Sequence, residues 1–116
     1  MNKAKRELID KEIVEPFFEQ WQNLSAKIYQ SHEVRDGQAK SLMEQGIELF
    51  ERCVVHCSDT SETAVSEREE YEVLPINGKE RLQFIKARPG QYACYRQLDE
   101  LFKELKKRLA RLRLKA

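Results

Sequence analysis

The sequence predicts an all-α fold: a small helical bundle of three long helices plus one short helix, with a long acidic loop between helices 2 and 3. Three observations predict it. Apolar residues recur at spacings of 3 and 4 through four segments, which is the period of a helix face. Charged residues make up 35% of the chain and hydrophobic ones 41%, a balance suited to a small helical protein with a heavily charged solvent face. The polar "SHEVRDG" and the "RPG" corner interrupt the helical rhythm where helices must end.

The first helix is predicted over residues 3–30. Ile9, Ile13, Phe17, Trp21, Leu24 and Ile28 are spaced 4, 4, 4, 3 and 4 apart. Pro16 falls within it, so the helix restarts or kinks there, because the ring removes a donor and clashes with the preceding turn. The second helix is predicted over residues 38–57, with Asp36 as its cap and a 3–4 rhythm from Ala39 to Cys57. Gly46 in mid-helix costs up to ~1 kcal/mol against Ala and so marks a close helix contact. Residues 58–72 carry six acids against Arg68. That is long for a loop in a compact domain. The segment is expected to be mobile or to hold one short polar helix, closed by Val73, Leu74 and Ile76 as an apolar anchor.

Asn77-Gly78-Lys79-Glu80 has the spacing of a capping box, in which Asn77 and Glu80 each satisfy the other's amide. Leu82 and Ile85, with Phe84 on the flank, give the short third helix one apolar face. Pro89 forces Arg88 out of helical geometry, and the chain restarts near Gly90. Tyr95, Leu98, Phe102, Leu105, Leu109 and Leu112 then form a heptad seam at 3, 4, 3, 4 and 3.

"LMEQGIELF" (residues 42–50), "LPINGKERLQFIKARPGQY" (74–92) and "QLDELFKEL" (97–105) together resemble the YpoC-like family of small bacterial proteins. The resemblance covers the second half of the chain well and the first half loosely. It implies a helical fold. The family is uncharacterised, so it implies no catalytic residues.

A chain of 116 residues has the length of a single domain and can bury roughly two-thirds of its unfolded surface around one core. The N-terminal "MNKAKRELIDKEI" has no apolar run to serve as a signal-peptide core, and no stretch approaches the ~20 apolar residues of a membrane span. Three cysteines, Cys53, Cys57 and Cys94, are an odd number in a chain without an export signal. The expectation is a reduced, cytoplasmic protein.

Cys53, His56 and Cys57, one helical turn apart, raise a metal hypothesis, with Cys94 or His32 as further ligands. Both cysteines also lie on the apolar stripe, where a thiol packs as a small hydrophobe, and the spacing is not that of a structural zinc site. Buried, reduced, metal-free thiols are expected. His32 and His56 stand beside no nucleophile–acid spacing that suggests a triad, and no glycine-rich phosphate loop, His-Glu-x-x-His or Cys-x-x-Cys occurs. No catalytic residue, cofactor or metal ligand is therefore assigned. Tyr92 and Tyr95 beside Arg88 and Arg96 could stack bases, but their helical spacing by a proline corner reads as core.

The basic C-terminus is the strongest polar signal. Lys103, Lys106, Lys107, Arg108, Arg111, Arg113 and Lys115 face one acid, Glu104. Residues 77–116 hold 12 basic against 4 acidic side chains, a balance of +8, and residues 44–72 hold 9 acidic against 2 basic, −7, within a net charge of +1. These seven cations are the candidate anion-binding residues. Cations near a helix C-terminus also favour the dipole, and the acidic loop is a ready internal partner that would mask them. A last helix of 25 residues is about 37 Å long, against the ~26 Å of a compact sphere of this size. Residues 106–116 are thus expected to overhang, leaving Leu105, Leu109 and Leu112 for a partner protein or a second copy. The functional expectation is a non-enzymatic interaction module. The alternative is weak, sequence-independent nucleic-acid binding by the basic helix.

Overall fold

In a computed structural model, which describes residues 1–115, a 3-10 turn at Arg6–Leu8 precedes four α-helices: α1 (Lys11–Val34), α2 (Ala39–His56), α3 (Gly78–Ala87) and α4 (Tyr92–Leu114). The fold is all-α, as predicted, with three long helices and one short. Among the described residues the only strand-like features are two isolated bridges, Asn2 to Tyr71 and Ala4 to Ser58.

Those bridges explain why α1 begins at Lys11 and not at residue 3. The amides of Asn2 and Lys5 donate to the carbonyls of Glu70 (2.7 Å) and Cys57 (2.8 Å), and the carbonyls of Lys3 and Asn2 accept from Asp59 (2.8 Å) and Glu72 (2.9 Å). With its backbone groups paired across the chain, the segment has no need of helical bonds. Pro16 lies inside α1 without ending it. In its first half the buried face of α1 is turned by one residue from the predicted stripe, to Val14 and Phe18, whereas Trp21 and Ile28 are buried as predicted. Val14, Phe18, Trp21 and Ile28 are buried, whereas Ile13 is 37% exposed and Phe17 and Leu24 are half-buried. The helix runs on to Val34, where Arg35 turns left-handed (φ 54°) and its N–H donates to the Ser31 carbonyl. Asp36 joins α1 to α2, since its Oδ1 accepts from Ser31 Oγ (2.5 Å) and from the Gln38 amide (3.0 Å).

The second helix matches its prediction to within a residue at each end, and Gly46 is a close contact. A Cβ there would lie 2.7 Å from Trp21 Cζ3 and 3.1 Å from Leu98 Cδ2. The core gathers around this crossing. Trp21 stacks on Phe102 (4.5 Å, 9°), with Phe50 edge-on to Phe102 at 5.1 Å, and the indole N–H donates to Asp99 Oδ1 at 3.0 Å.

Residues 58–77 contain no helix among the described residues. Tyr71, Val73 and Leu74 are buried, but Ile76 is 76% exposed and takes no part in the expected anchor. It sits in a turn closed by the Gly78 amide on the Pro75 carbonyl (2.9 Å). That turn also removes the capping box. Asn77 is left-handed (φ 55°, ψ 27°) and makes no side-chain cap bond, because a box needs an extended cap residue.

The expected overhang of α4 is corrected as well. Leu105 and Leu109 are fully buried and Leu112 is 7% exposed. The described chain measures 47 × 29 × 21 Å, so it is elongated, and a helix of about 35 Å fits within its length. Residues 1–9 and 71–74 close over the seam that a spherical estimate leaves bare: Ile9, Tyr71, Val73 and Leu74 belong to the same core as Leu105, Leu109 and Leu112.

Candidate functional site: the basic face of α4

Burying the leucines of α4 leaves its other side to solvent, and the seven cations sort into distinct roles there. Lys103 pairs with Asp99 (3.1 Å) and, less closely, Glu100 (3.8 Å); the Asp99 hydrogen bond and charge raise its pKa. Lys106 lies 5.8 Å from the Phe18 ring centroid, within cation–π range. Arg108 donates through Nε to the Glu72 carbonyl at 2.5 Å, and Arg113 through Nη1 to the Ile9 carbonyl at 2.8 Å. These two arginines tie the N-terminal segment and the acidic loop onto the helix. Lys107, Arg111 and Lys115 are exposed and have no hydrogen-bond or ion-pair partner among the described residues. Lys107 and Arg111, one helical turn and about 6 Å apart, start a ridge that Lys115 continues at the C-cap of α4.

The acidic loop does not neutralise that ridge through any ion pair among the described residues. Three of its six carboxylates are held elsewhere: Glu69 accepts from Asn2 Nδ2 (3.0 Å), Glu72 from the Ala4 amide (2.9 Å), and Glu70 pairs with Lys79 (3.0 Å). Lys79 also donates to the Glu67 and Glu69 carbonyls. The hydrogen bond that the loop makes with α4 is through a backbone carbonyl, that of Glu72. Glu104, the acid within the basic run, is taken by a two-pronged contact from Arg81 at 2.9 and 2.7 Å. The Arg81 hydrogen bond lowers its pKa, against a smaller opposing effect of burial.

Among the described residues the candidate ligand residues come together in no group of three. Cys53, Cys57 and Cys94 are fully buried thiols. A hydrogen bond with Cys57, then burial, raises the Cys53 pKa well above that of a free thiol; burial raises that of Cys94, partly offset by Arg88. His56 packs on Phe17 (5.4 Å), and His32 lies edge-on to Tyr92 (5.2 Å). Among the described residues no group of three or more His, Cys, Asp or Glu side chains could hold a metal ion. Tyr95 is buried and its hydroxyl bonds Ser25 Oγ at 2.9 Å, so it is core; Tyr92 is 43% exposed. The Arg81–Glu104 pair and the Glu72 carbonyl under Arg108 had no local signature. The spacing of 107, 111 and 115 was readable in the sequence as a helical ridge.

Fold and surface thus define a class: a small all-α protein with its leucine seam closed and one cationic helix face open. The chain belongs to the YpoC-like family, whose family model, YpoC-like protein, matches residues 11–116. A 37-residue stretch is 54% identical to a Bacillus subtilis (strain 168) protein named uncharacterized protein YpoC. That stretch is 32% of this chain and covers 23% of the relative, less than a quarter of its length. No solved structure matches the chain. No helix among the described residues is long and apolar enough to cross a membrane.

Proposed function

We propose that the protein is a non-enzymatic binding module that meets an acidic macromolecule through the basic face of α4. The observation that carries this is the ridge of Lys107, Arg111 and Lys115, exposed and without a charged partner among the described residues, on a helix whose leucines are already buried. The seam of Leu105, Leu109 and Leu112 is core and is not part of the contact. A protein surface rich in carboxylates and the phosphate backbone of nucleic acid are the two partners that such a ridge attracts. Three buried thiols suit a reducing compartment.

Binding to poly-glutamate and to a mixed-sequence DNA duplex, each followed as salt rises from about 50 to 200 mM, tests the reading. The expected result is salt-sensitive binding to at least one of them, abolished by the triple change Lys107→Glu, Arg111→Glu, Lys115→Glu. A folded parent that binds neither overturns it.

A further inference from the structure

The ridge ends in a cleft. Glu72, Arg108, Arg111, Leu112 and Lys115 line a depression of about 270 Å³ between the loop and the last two turns of α4. Arg108 is fixed in its wall, because its Nε is held by the Glu72 carbonyl, while its Nη groups make no hydrogen bond or ion pair among the described residues. Such a guanidinium is oriented before any ligand arrives, and its fork matches an oxyanion. Glu72 is the acid of this cleft, and its Oε1 is engaged with the Ala4 amide. Three cations against one carboxylate leave the cleft positive. Leu112, 7% exposed, supplies an apolar wall against which a charge–charge contact is less screened.

The surroundings of the cleft distinguish among anions. A protein partner is held chiefly by aromatic and aliphatic anchors at the centre of its interface. The exposed positions of α4 and its C-cap from 103 onward are Lys103, Lys106, Lys107, Ala110, Arg111, Leu114 and Lys115, which include no aromatic side chain and one large aliphatic one, Leu114, at the last helical position. Single-stranded nucleic acid is held largely by stacking on aromatics, and Tyr92 lies at the far end of the helix. A duplex backbone needs neither anchor, only cations placed along a regular row of phosphates. Lys107, one turn back from Arg111, stands where a neighbouring phosphate would pass.

We propose that this cleft binds a backbone phosphate of duplex nucleic acid, with Arg111 and Lys115 as direct donors and Arg108 as the prepositioned fork. This deepens the basic-face reading and rests on it. The test is fluorescence anisotropy with a mixed-sequence duplex across a salt series, using two surface double variants that each remove two positive charges from α4. Arg111→Gln with Lys115→Gln, in the cleft, should weaken duplex binding about tenfold or more and flatten the log–log salt slope by about 1, for the one phosphate no longer neutralised. Lys103→Gln with Lys106→Gln, outside it, should change affinity less than about threefold. Equal effects of the two pairs overturn the cleft and leave the basic-face reading standing. Binding to poly-glutamate without binding to the duplex assigns a protein partner and overturns the phosphate. Inorganic pyrophosphate that perturbs the Arg111 and Lys115 amide resonances in a chain that ignores the duplex assigns a small phosphorylated ligand, and overturns the nucleic-acid source. A parent that binds none of these probes overturns both inferences.

Discussion

Gly46 of α2 faces the Trp21 ring of α1 so closely that a Cβ on the glycine would stand 2.7 Å from Trp21 Cζ3. The indole has nowhere to retreat, since it is stacked on Phe102 and its N–H is held by Asp99. Gly46→Ala gains up to ~1 kcal/mol of helix propensity but overpacks a closed contact, at about 1–3 kcal/mol. Net destabilisation is expected. Urea midpoints check it, and altered Trp21 fluorescence in the folded variant locates the strain at this crossing.

Leu109 is fully buried. Leu109→Ala should therefore cost about 2–5 kcal/mol of stability, as for a buried leucine. Sedimentation should report the same mass for parent and folded variant, because the residue packs within its own chain. A lower mass for the variant with an unchanged denaturation midpoint would show that a second copy covers it.

The start of α3 gives two opposite expectations. Glu80 is exposed and bonds no cap amide, so Glu80→Ala should stay within about 0.5 kcal/mol of the parent. Asn77 is left-handed, a conformation that costs an ordinary side chain about 1–2 kcal/mol. Asn77→Ala should be destabilising and Asn77→Gly close to neutral. Thermal unfolding of the three variants checks the pattern.

The Arg81–Glu104 contact predicts an acid dependence. Arg81 holds the Glu104 carboxyl below its ordinary range, so the folded state favours the ionised form. Its contribution is fully present above the unfolded pKa of about 4.3 and is lost as pH falls through the lower folded value. The Glu104 side chain is 35% exposed, so solvent screening keeps the pair near the surface range of about 0.2–1 kcal/mol. Denaturation midpoints from neutral pH down to about 3 should fall less steeply for Glu104→Gln than for the parent across the carboxylate range.

The three thiols should be silent in the folded chain. Burial and raised pKa at Cys53 and Cys94 deny a reagent both access and thiolate. Iodoacetamide should leave the native protein unmodified and label Cys53, Cys57 and Cys94 once urea unfolds it. Rapid labelling of Cys53 in the native protein would contradict its placement.

The sequence by itself determined the parts that follow from local periodicity and local sterics. The ends of α2, the Pro89 corner between α3 and α4 and the apolar seam of α4 all belong here. Each depends on residues within a turn or two, where the 3.6-residue period and the clash before proline act without reference to the rest of the chain. Tertiary structure decided whatever depends on a distant partner. Residues 2–5 became an extended strap because residues 57–72 offered them backbone bonds. Asn77 gave up a cap for a turn. The first half of the α1 face rotated to Val14 and Phe18, which are buried in the core that the other helices complete. The basic face was divided in the same way: charge and spacing marked all seven cations alike, but the Glu72 carbonyl of the loop engaged Arg108 and the Ile9 carbonyl engaged Arg113. The open ridge of Lys107, Arg111 and Lys115 is what remained once the elongated fold had closed its leucines, since only the packed chain sets which side of a helix meets water.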